Sequence, residues 1–300
     1  MKVLIIGGAG FIGSHVVDLL IKEGIEVRVF DSLISGKRER IPTGAQFIQG
    51  DIRDRDALAS AMQDVTHIVH LAALVSVAES MTNPLATHEV NVTGMENVLD
   101  AMRTLGIKRI VYASSAAVYG DEPSLPKRES SSLQPQSPYA LSKVLNEVQA
   151  GMYERAFGLS AVGLRFFNVY GPGQTGDHPY ASVIPRWIEA IRAGRPITVY
   201  GDGSQTRDFV HVRDVAGAIY QALMKDISGV FNVASGKETS LKQLQQIIMD
   251  NYPDTFGVNH EPSREGDILR SVADIGAARA ALGFAPSVEF TKGVVELLAL

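Results

Sequence analysis

The strongest constraint on this chain sits at residues 3–13. Four apolar residues, Val3–Ile6, run directly into Gly7-Gly8-Ala9-Gly10-Phe11-Ile12-Gly13, and an amphipathic stretch from about Ile12 to Glu23 follows. A short apolar run bounded by glycines reads as a buried strand, and the period of the next stretch reads as a helix. Gly7, Gly10 and Gly13 are spaced G-x-x-G-x-x-G rather than G-x-G-x-x-G. They permit a tight turn and close backbone approach, so that free N–H groups at the helix start can face a pyrophosphate. Taken alone, the same loop could be only a turn. In either case a strand, a glycine turn and a helix in succession open a sheet with helices packed on it.

The following residues repeat the alternation. Glu26–Phe30, Gln46–Ile48, His67–Leu71 and Arg109–Ala113 read as strands, with helical patterns between them, notably Leu85–Leu105. Tyr139–Phe157 reads as a helix, and Ala161–Phe166 and Gly229–Val233 as further strands. This predicts an α/β fold, a doubly wound parallel sheet covered on both faces. Segments 171–207 and 236–300 hold much of the Pro and Gly, with short helices around Ser182–Ala193 and Leu241–Asn251. They are expected to form a smaller C-terminal substrate domain interleaved with the sheet. Residues 1–170, with 208–235 returning to them, are expected to form the cofactor domain.

Composition excludes several classes. With 33 acidic and 28 basic residues the net charge is −5, which disfavours a nucleic-acid binder. The absence of cysteine removes disulfides, thiolate metal sites and cysteine nucleophiles. The seven histidines show no ligand spacing, so no metal is expected. No apolar run approaches the ~18 residues of a membrane span, and Val3–Ile6 is too short for the core of a signal sequence. A soluble cytoplasmic protein is expected.

Asp31 ends the second strand, 18 residues after Gly13. A carboxylate there can accept both hydroxyls of an adenosine ribose and repel a 2′-phosphate, favouring NAD over NADP. Asp51, after the third strand, could reach the adenine amine or simply serve a turn or cap. Tyr139 and Lys143 stand four apart, on one face of a helix. A phenol with a reference pKa near ~10 is a poor base at neutral pH, and a nearby ammonium stabilises its phenolate. Ser114-Ser115 ends the fifth strand at the carboxyl edge, where open parallel sheets bind ligands. A hydroxyl there can donate to a substrate oxygen while Tyr139 takes the proton, or can merely bond to backbone.

Further motifs occur in order: Gly50-Asp51-Ile52, His70-Leu71-Ala72-Ala73, Asn91, Ser114–Gly120, Pro138–Lys143, Arg165–Pro172, Gly201-Asp202-Gly203 and Arg207–Val212. With them the chain resembles, over almost its whole length, the extended short-chain dehydrogenase/reductases, and most nearly the UDP-glucose 4-epimerases. The resemblance implies a Rossmann fold and bound NAD. It would place Gly7, Gly10, Phe11, Ile12, Gly13, Asp31, Ser32, Ser35, Gly36, Asp51, Ile52, Leu71, Ala72, Ala73, Asn91, Tyr139, Lys143 and Phe167 around NAD. It makes Ser115, Tyr139 and Lys143 the catalytic triad. One departure is Val75, where many epimerases carry a lysine that touches the pyrophosphate, which implies a weaker hold on the cofactor.

Arginines with acidic partners in glycine-rich loops suit a diphosphate. Arg207 follows Gly201–Thr206, and Arg264-Glu265-Gly266-Asp267 is a second such site, though either arginine could instead form a surface ion pair. The resemblance implies that Arg207 and Arg264 grip the substrate pyrophosphate and Asp267 the ribose. Asn168, Ser182, Val183, Thr198, Val199 and Tyr200 would line the nucleotide pocket, with Tyr200 on the base. In similar epimerases the residue four beyond that aspartate flanks the sugar ring. Here it is Ser271, small enough to admit an N-acetyl group beside C2.

The expected activity is therefore 4-epimerisation of a UDP-hexose. Dehydratases of the superfamily usually carry Asp-Glu after the catalytic hydroxyl residue, where this chain has Ala116 and Ala117. A 4-ketosugar reductase would use the same triad but commonly prefers NADPH, against Asp31. A non-catalytic NAD sensor would have no need of Tyr139. Two apolar stripes at helical spacing, Met95/Val98/Leu99/Met102 and Leu141/Val144/Leu145/Val148, suggest a homodimer through a four-helix bundle, or else only cover the sheet.

Overall fold

The structure, a computed structural model, describes residues 1–176, 182–252, 255–263 and 268–300. The central sheet contains β1 (Lys2–Ile6), β2 (Glu26–Asp31), β3 (Gln46–Gln49), β4 (His67–His70), β5 (Arg109–Ser115), β6 (Ser160–Phe166) and the edge strand Gly229–Val233. Across the sheet the order is Gly229–Val233, β6, β5, β4, β1, β2, β3, with every neighbouring pair parallel. The chain direction across the sheet reverses between β1 and β4. At such a point the loops leaving the strands diverge to opposite faces and open a crevice at the carboxyl edge.

The two faces follow from strand alternation. Val3 and Ile5 point into one core layer, with the helices Phe11–Lys22 and Val212–Met224. Leu4 and Ile6 point into the other, with Arg55–Ala61, Gly94–Leu105 and Pro138–Phe157. Met95, Val98, Leu99 and Met102 are completely buried in this second layer. The first stripe expected at a dimer interface is therefore core, because each such side chain gains ~1.5–3 kcal/mol by leaving water against the sheet. The second stripe differs, with Leu141 and Val148 exposed and Val144 and Leu145 half-buried.

The expected Leu85–Leu105 helix is also corrected. It comprises Pro84–His88, a π turn at Glu89–Thr93, and Gly94–Leu105. The wider turn carries Asn91, whose amide bonds to Leu74 instead of lying on a regular helix face.

A smaller layer lies beyond the carboxyl edge. Asn168–Tyr170 pairs with Phe209–His211, and Ile197–Tyr200 with Val258–Glu261. Helices Val183–Arg192, Leu241–Asn251 and Phe290–Ala299 share a core there around the buried Trp187. Ala278, Leu282 and Phe284 instead pack back against the helix Val212–Met224 and the sheet. Among the described residues no helix is long and apolar enough to cross a membrane.

Candidate active site

β1 leads into Gly7, whose φ is +88°. A Cβ there would lie 2.6 Å from the Ala72 nitrogen, and one on Gly13 2.1 Å from the Gly7 carbonyl oxygen. Any other side chain at either position would break the loop. Gly10 precedes the helix Phe11–Lys22, which has no side-chain cap and no acid in its first turn. Its leading N–H groups and the positive end of its dipole are thus left to an anion. Across the crevice the Leu71 and Ala72 N–H groups both donate to the Ile6 carbonyl, at 2.8 and 3.1 Å, which seats Leu71-Ala72-Ala73 against the glycine loop. A bare helix end behind a turn whose glycines leave the backbone uncovered fits a dinucleotide pyrophosphate.

Asp31 is buried at the end of β2. Its Oδ2 accepts from the Ala9 N–H at 2.9 Å and its Oδ1 from the Leu33 N–H at 2.8 Å. The carboxylate thereby fastens the glycine loop to the 32–36 turn, in which Ser32 is half-buried, Ser35 exposed, and Gly36 close enough that a Cβ would lie 2.7 Å from Oδ1. Asp51 accepts from the Arg53 N–H at 2.9 Å and pairs with its guanidinium at 2.6 Å, which holds the carboxyl below its usual range. The adjacent helix cap is Asp54. Ile52 and Phe167 bury their side chains in separate apolar clusters. Phe11 and Ile12 open the helix and are half-buried. Asn91 donates to the Leu74 carbonyl and to Ser142 Oγ, and accepts from the Leu74 N–H, so it clamps the loop after β4. Val75 on that loop is exposed.

The helix Pro138–Phe157 starts at Ser137, whose hydroxyl accepts from the Ala140 N–H, with Pro138 at its first position. This start turns Tyr139 and Lys143 toward the end of β5, and both are buried. Lys143 Nζ donates to the Ala113 carbonyl at 3.1 Å and lies 5.9 Å from the Tyr139 ring centre. Burial lowers the ammonium to about 8. Burial also raises the Tyr139 phenol, while a hydrogen bond with Ser115 pulls it the other way. Ser115 Oγ additionally accepts from the Ala117 N–H at 3.2 Å. The three residues read from the sequence therefore meet at the carboxyl edge of the sheet.

On the opposite side, Arg207 donates through Nη1 to the carbonyls of Thr206 and Ile268, at 2.9 and 2.5 Å. Asn168 Nδ2 donates to the Asp208 carbonyl at 3.3 Å. Ser182 precedes the helix Val183–Arg192 and accepts from Gln174 Nε2 at 3.3 Å. Val183 and Val199 pack into the small core, and the Thr198 carbonyl accepts from Trp187 Nε1 at 3.0 Å. The Arg186 guanidinium lies 5.9 Å from the centre of the half-buried Tyr200 ring. Ser271 is half-buried, two residues before the Ala273 bridge to Lys127. Arg264 and Asp267 lie outside the described residues.

A model of the NAD-dependent epimerase/dehydratase family matches residues 3–234. The chain belongs to this family. It is 38% identical over 294 residues to a putative UDP-glucose 4-epimerase of Methanocaldococcus jannaschii, across 97% of this chain and 95% of that protein. Among solved structures, the UDP-N-acetylglucosamine 4-epimerase of Methanobrevibacter ruminantium, in complex with UDP-N-acetylmuramic acid, superposes with a TM-score of 0.95. The two share 38% identity over 99% of this chain and 97% of that one. The Thermus thermophilus UDP-glucose 4-epimerase in complex with NAD gives a TM-score of 0.92 at 38% identity, over 100% of this chain and 98% of that one. The protein is an enzyme of the epimerase type, and its cofactor is NAD.

One ion-paired group of this epimerase, Glu147, escaped the sequence reading. Glu147 lies one turn beyond Lys143, where it accepts from Ser114 Oγ at 2.5 Å and pairs bidentately with Arg165 at 2.9 and 2.7 Å. Arg165 also donates to Tyr119 Oη at 2.9 Å, and Tyr119 donates to Asn232 Oδ1 at 2.6 Å. The available signal was the i, i+4, i+8 spacing of 139, 143 and 147. His70, at the end of β4, is pushed down to about 3 by burial and the Lys143 charge. It stays neutral and adds no second cation beside Lys143.

Proposed function

We propose that the enzyme inverts C4 of a UDP-hexose through a transient 4-keto sugar, acting on UDP-glucose and UDP-galactose and on their N-acetyl forms, as a cytoplasmic homodimer. The observation that carries this reading is the convergence of Ser115, Tyr139 and Lys143 at the mouth of the glycine crevice. Bound NAD supplies a position that takes up a hydride and returns it. The Tyr139 phenol oxygen takes the C4 hydroxyl proton and gives it back after the sugar has presented its other face. The Ser115 hydroxyl donates to the same sugar oxygen and fixes its place. Lys143, a buried cation at neutral pH, favours the phenolate by charge.

Gly7, Gly10 and Gly13 with Leu71–Ala73 hold the cofactor pyrophosphate, and Asp31 its adenosine ribose. Arg207 and Arg264 hold the substrate diphosphate, Tyr200 the base and Asp267 the ribose. Ala116 and Ala117 lie in the turn after Ser115 and carry no group that moves a proton, which argues against dehydration. The small Ser271 leaves room for an acetamido group. For the dimer, Leu141, Val148 and Met152 form an exposed apolar stripe on the Tyr139 helix that suits a second copy of itself. Incubation with UDP-galactose and no added reductant tests the activity. UDP-glucose should accumulate to equilibrium, and no interconversion by the NAD-loaded protein would overturn the reading.

A further inference from the structure

Asn168, Arg207 and Ser271 come from three separate segments, and one residue, Asp208, joins them through its main-chain carbonyl and its carboxylate. Asp208 follows Arg207 and is completely buried. Its Oδ1 accepts from the Ser235 N–H at 2.7 Å and from Ser235 Oγ at 2.6 Å. Its Oδ2 accepts from the Gly236 N–H at 3.0 Å and from the Ala273 N–H at 3.1 Å. The Asp208 carbonyl accepts from both the main-chain and side-chain nitrogens of Asn168, at 3.1 and 3.3 Å.

Ala273 lies two residues beyond Ser271. The same segment is pinned by the Thr206 N–H to the Leu269 carbonyl at 2.9 Å and the Lys127 N–H to the Val272 carbonyl at 2.8 Å. Among the described residues no cation pairs with Asp208. A buried carboxylate without a counterion is costly unless donors surround it, and four do. Only an acceptor-only group satisfies four donors with two oxygens, and Asn does not.

We propose that Asp208 is a positioning residue for the nucleoside-diphosphate half of the site. Without touching the ligand, it fixes the spacing of Arg207, Asn168 and the Ser271 segment, and so sets the affinity for a nucleoside diphosphate. This rests on the reading of those three residues as substrate contacts. Tyr139, Lys143 and Ser115 hang from other elements, so the effect should fall on substrate binding and spare the chemical step.

Asp208→Asn is the discriminating change. In one orientation its NH2 faces the Gly236 and Ala273 N–H groups, and in the other the Ser235 N–H, so part of the cluster is released. UDP, titrated calorimetrically against the NAD-loaded protein, should bind about tenfold or more weakly. The KM for UDP-glucose should rise in parallel, with kcat and NAD affinity within about threefold of wild type. A folded Asp208→Asn protein that binds UDP as wild type does would overturn the proposal, as would parallel losses of UDP and NAD affinity. If Asp208→Asn does not fold, Ser235→Ala decides, since it removes one donor and no backbone group. It should weaken UDP by about two- to fivefold at unchanged NAD affinity, and unchanged UDP affinity would overturn the proposal. A wild-type protein that takes no UDP would defeat the pocket reading and this proposal with it. Binding by wild type with no effect at Asp208 would defeat this proposal alone.

Discussion

In the proposed cofactor half, most contributing stretches follow a strand, with Gly7–Gly13 after β1, Asp31–Gly36 at the end of β2, Leu71–Ala73 after β4 and Ser115 ending β5, while Asn91, Tyr139 and Lys143 sit on helical turns beside them. The proposed sugar-nucleotide half instead draws on Asn168, Ser182, Thr198–Tyr200, Arg207 and Ser271, in short strand pairs and loops, of which the Asn168, Arg207 and Ser271 segments are fastened to one another through Asp208 and residues 269–273. The first half inherits its geometry from the parallel sheet. The second builds its own from long-range hydrogen bonds. Changes in the first should therefore act on chemistry or NAD with sharp, local effects, and changes in the second should shift substrate preference while the reaction continues.

The largest expected effect tests the cofactor half. Tyr139→Phe keeps the buried ring and removes the acid–base oxygen, so turnover should fall at least ~100-fold with NAD affinity nearly intact. Turnover within a few-fold of wild type would break the assignment. Asp31 comes next. Its carboxylate should make NADP bind at least about tenfold more weakly than NAD, because a 2′-phosphate meets like charge. The same oxygens hold the Ala9 and Leu33 N–H groups, so Asp31→Ser should narrow the preference while weakening both cofactors. Equal NAD and NADP titrations of the wild type would remove Asp31 from the adenosine site.

That contrast also explains what the sequence disclosed. The Gly7–Gly13 spacing, Asp31 at its strand end and the Tyr139/Lys143 pair are short-range patterns whose geometry the helix and strand periods fix, so they placed the crevice and put Tyr139 and Lys143 on one helix face. The π turn at Glu89–Thr93 was invisible, because it reflects the fit of Asn91 onto the 74 loop rather than a local period. Met95–Met102 has the same apolar repeat whether it faces a sheet or a second subunit, and only the packing decided. Asp208 stood within the Arg207–Val212 motif, yet its partners Ser235, Gly236 and Ala273 lie 27 to 65 residues away.

A smaller effect sharpens the substrate half. Ser271→Tyr adds bulk beside the expected sugar position, on a segment held at both Leu269 and Ala273 and so unable to swing aside freely. Overfilling such a site costs ~1–3 kcal/mol. The ratio of kcat/KM for UDP-N-acetylglucosamine to that for UDP-glucose should fall about tenfold. An unchanged ratio would end the role of Ser271 in specificity.

The smallest effect concerns stability and separates the halves most directly. Burial lowers Lys143 from 10.5 to about 8. Between those values the unfolded chain holds more protons than the folded one, so this group's contribution to stability rises with pH across the window. Below about 8 both states are charged and the full penalty, ~3 kcal/mol, is present; above 10.5 both are neutral and it vanishes. Lys143→Met removes that penalty but leaves the Ala113 carbonyl without its donor. The NAD-free variant should therefore be inactive and more stable than wild type by about 1 kcal/mol near pH 7. The gain should shrink toward about pH 9.5, as measured by urea unfolding. A variant less stable than wild type at neutral pH, or a gain independent of pH, would mean that Lys143 is held without electrostatic cost. Substitution at Ser271, which carries no charge, should show no comparable pH-dependent gain.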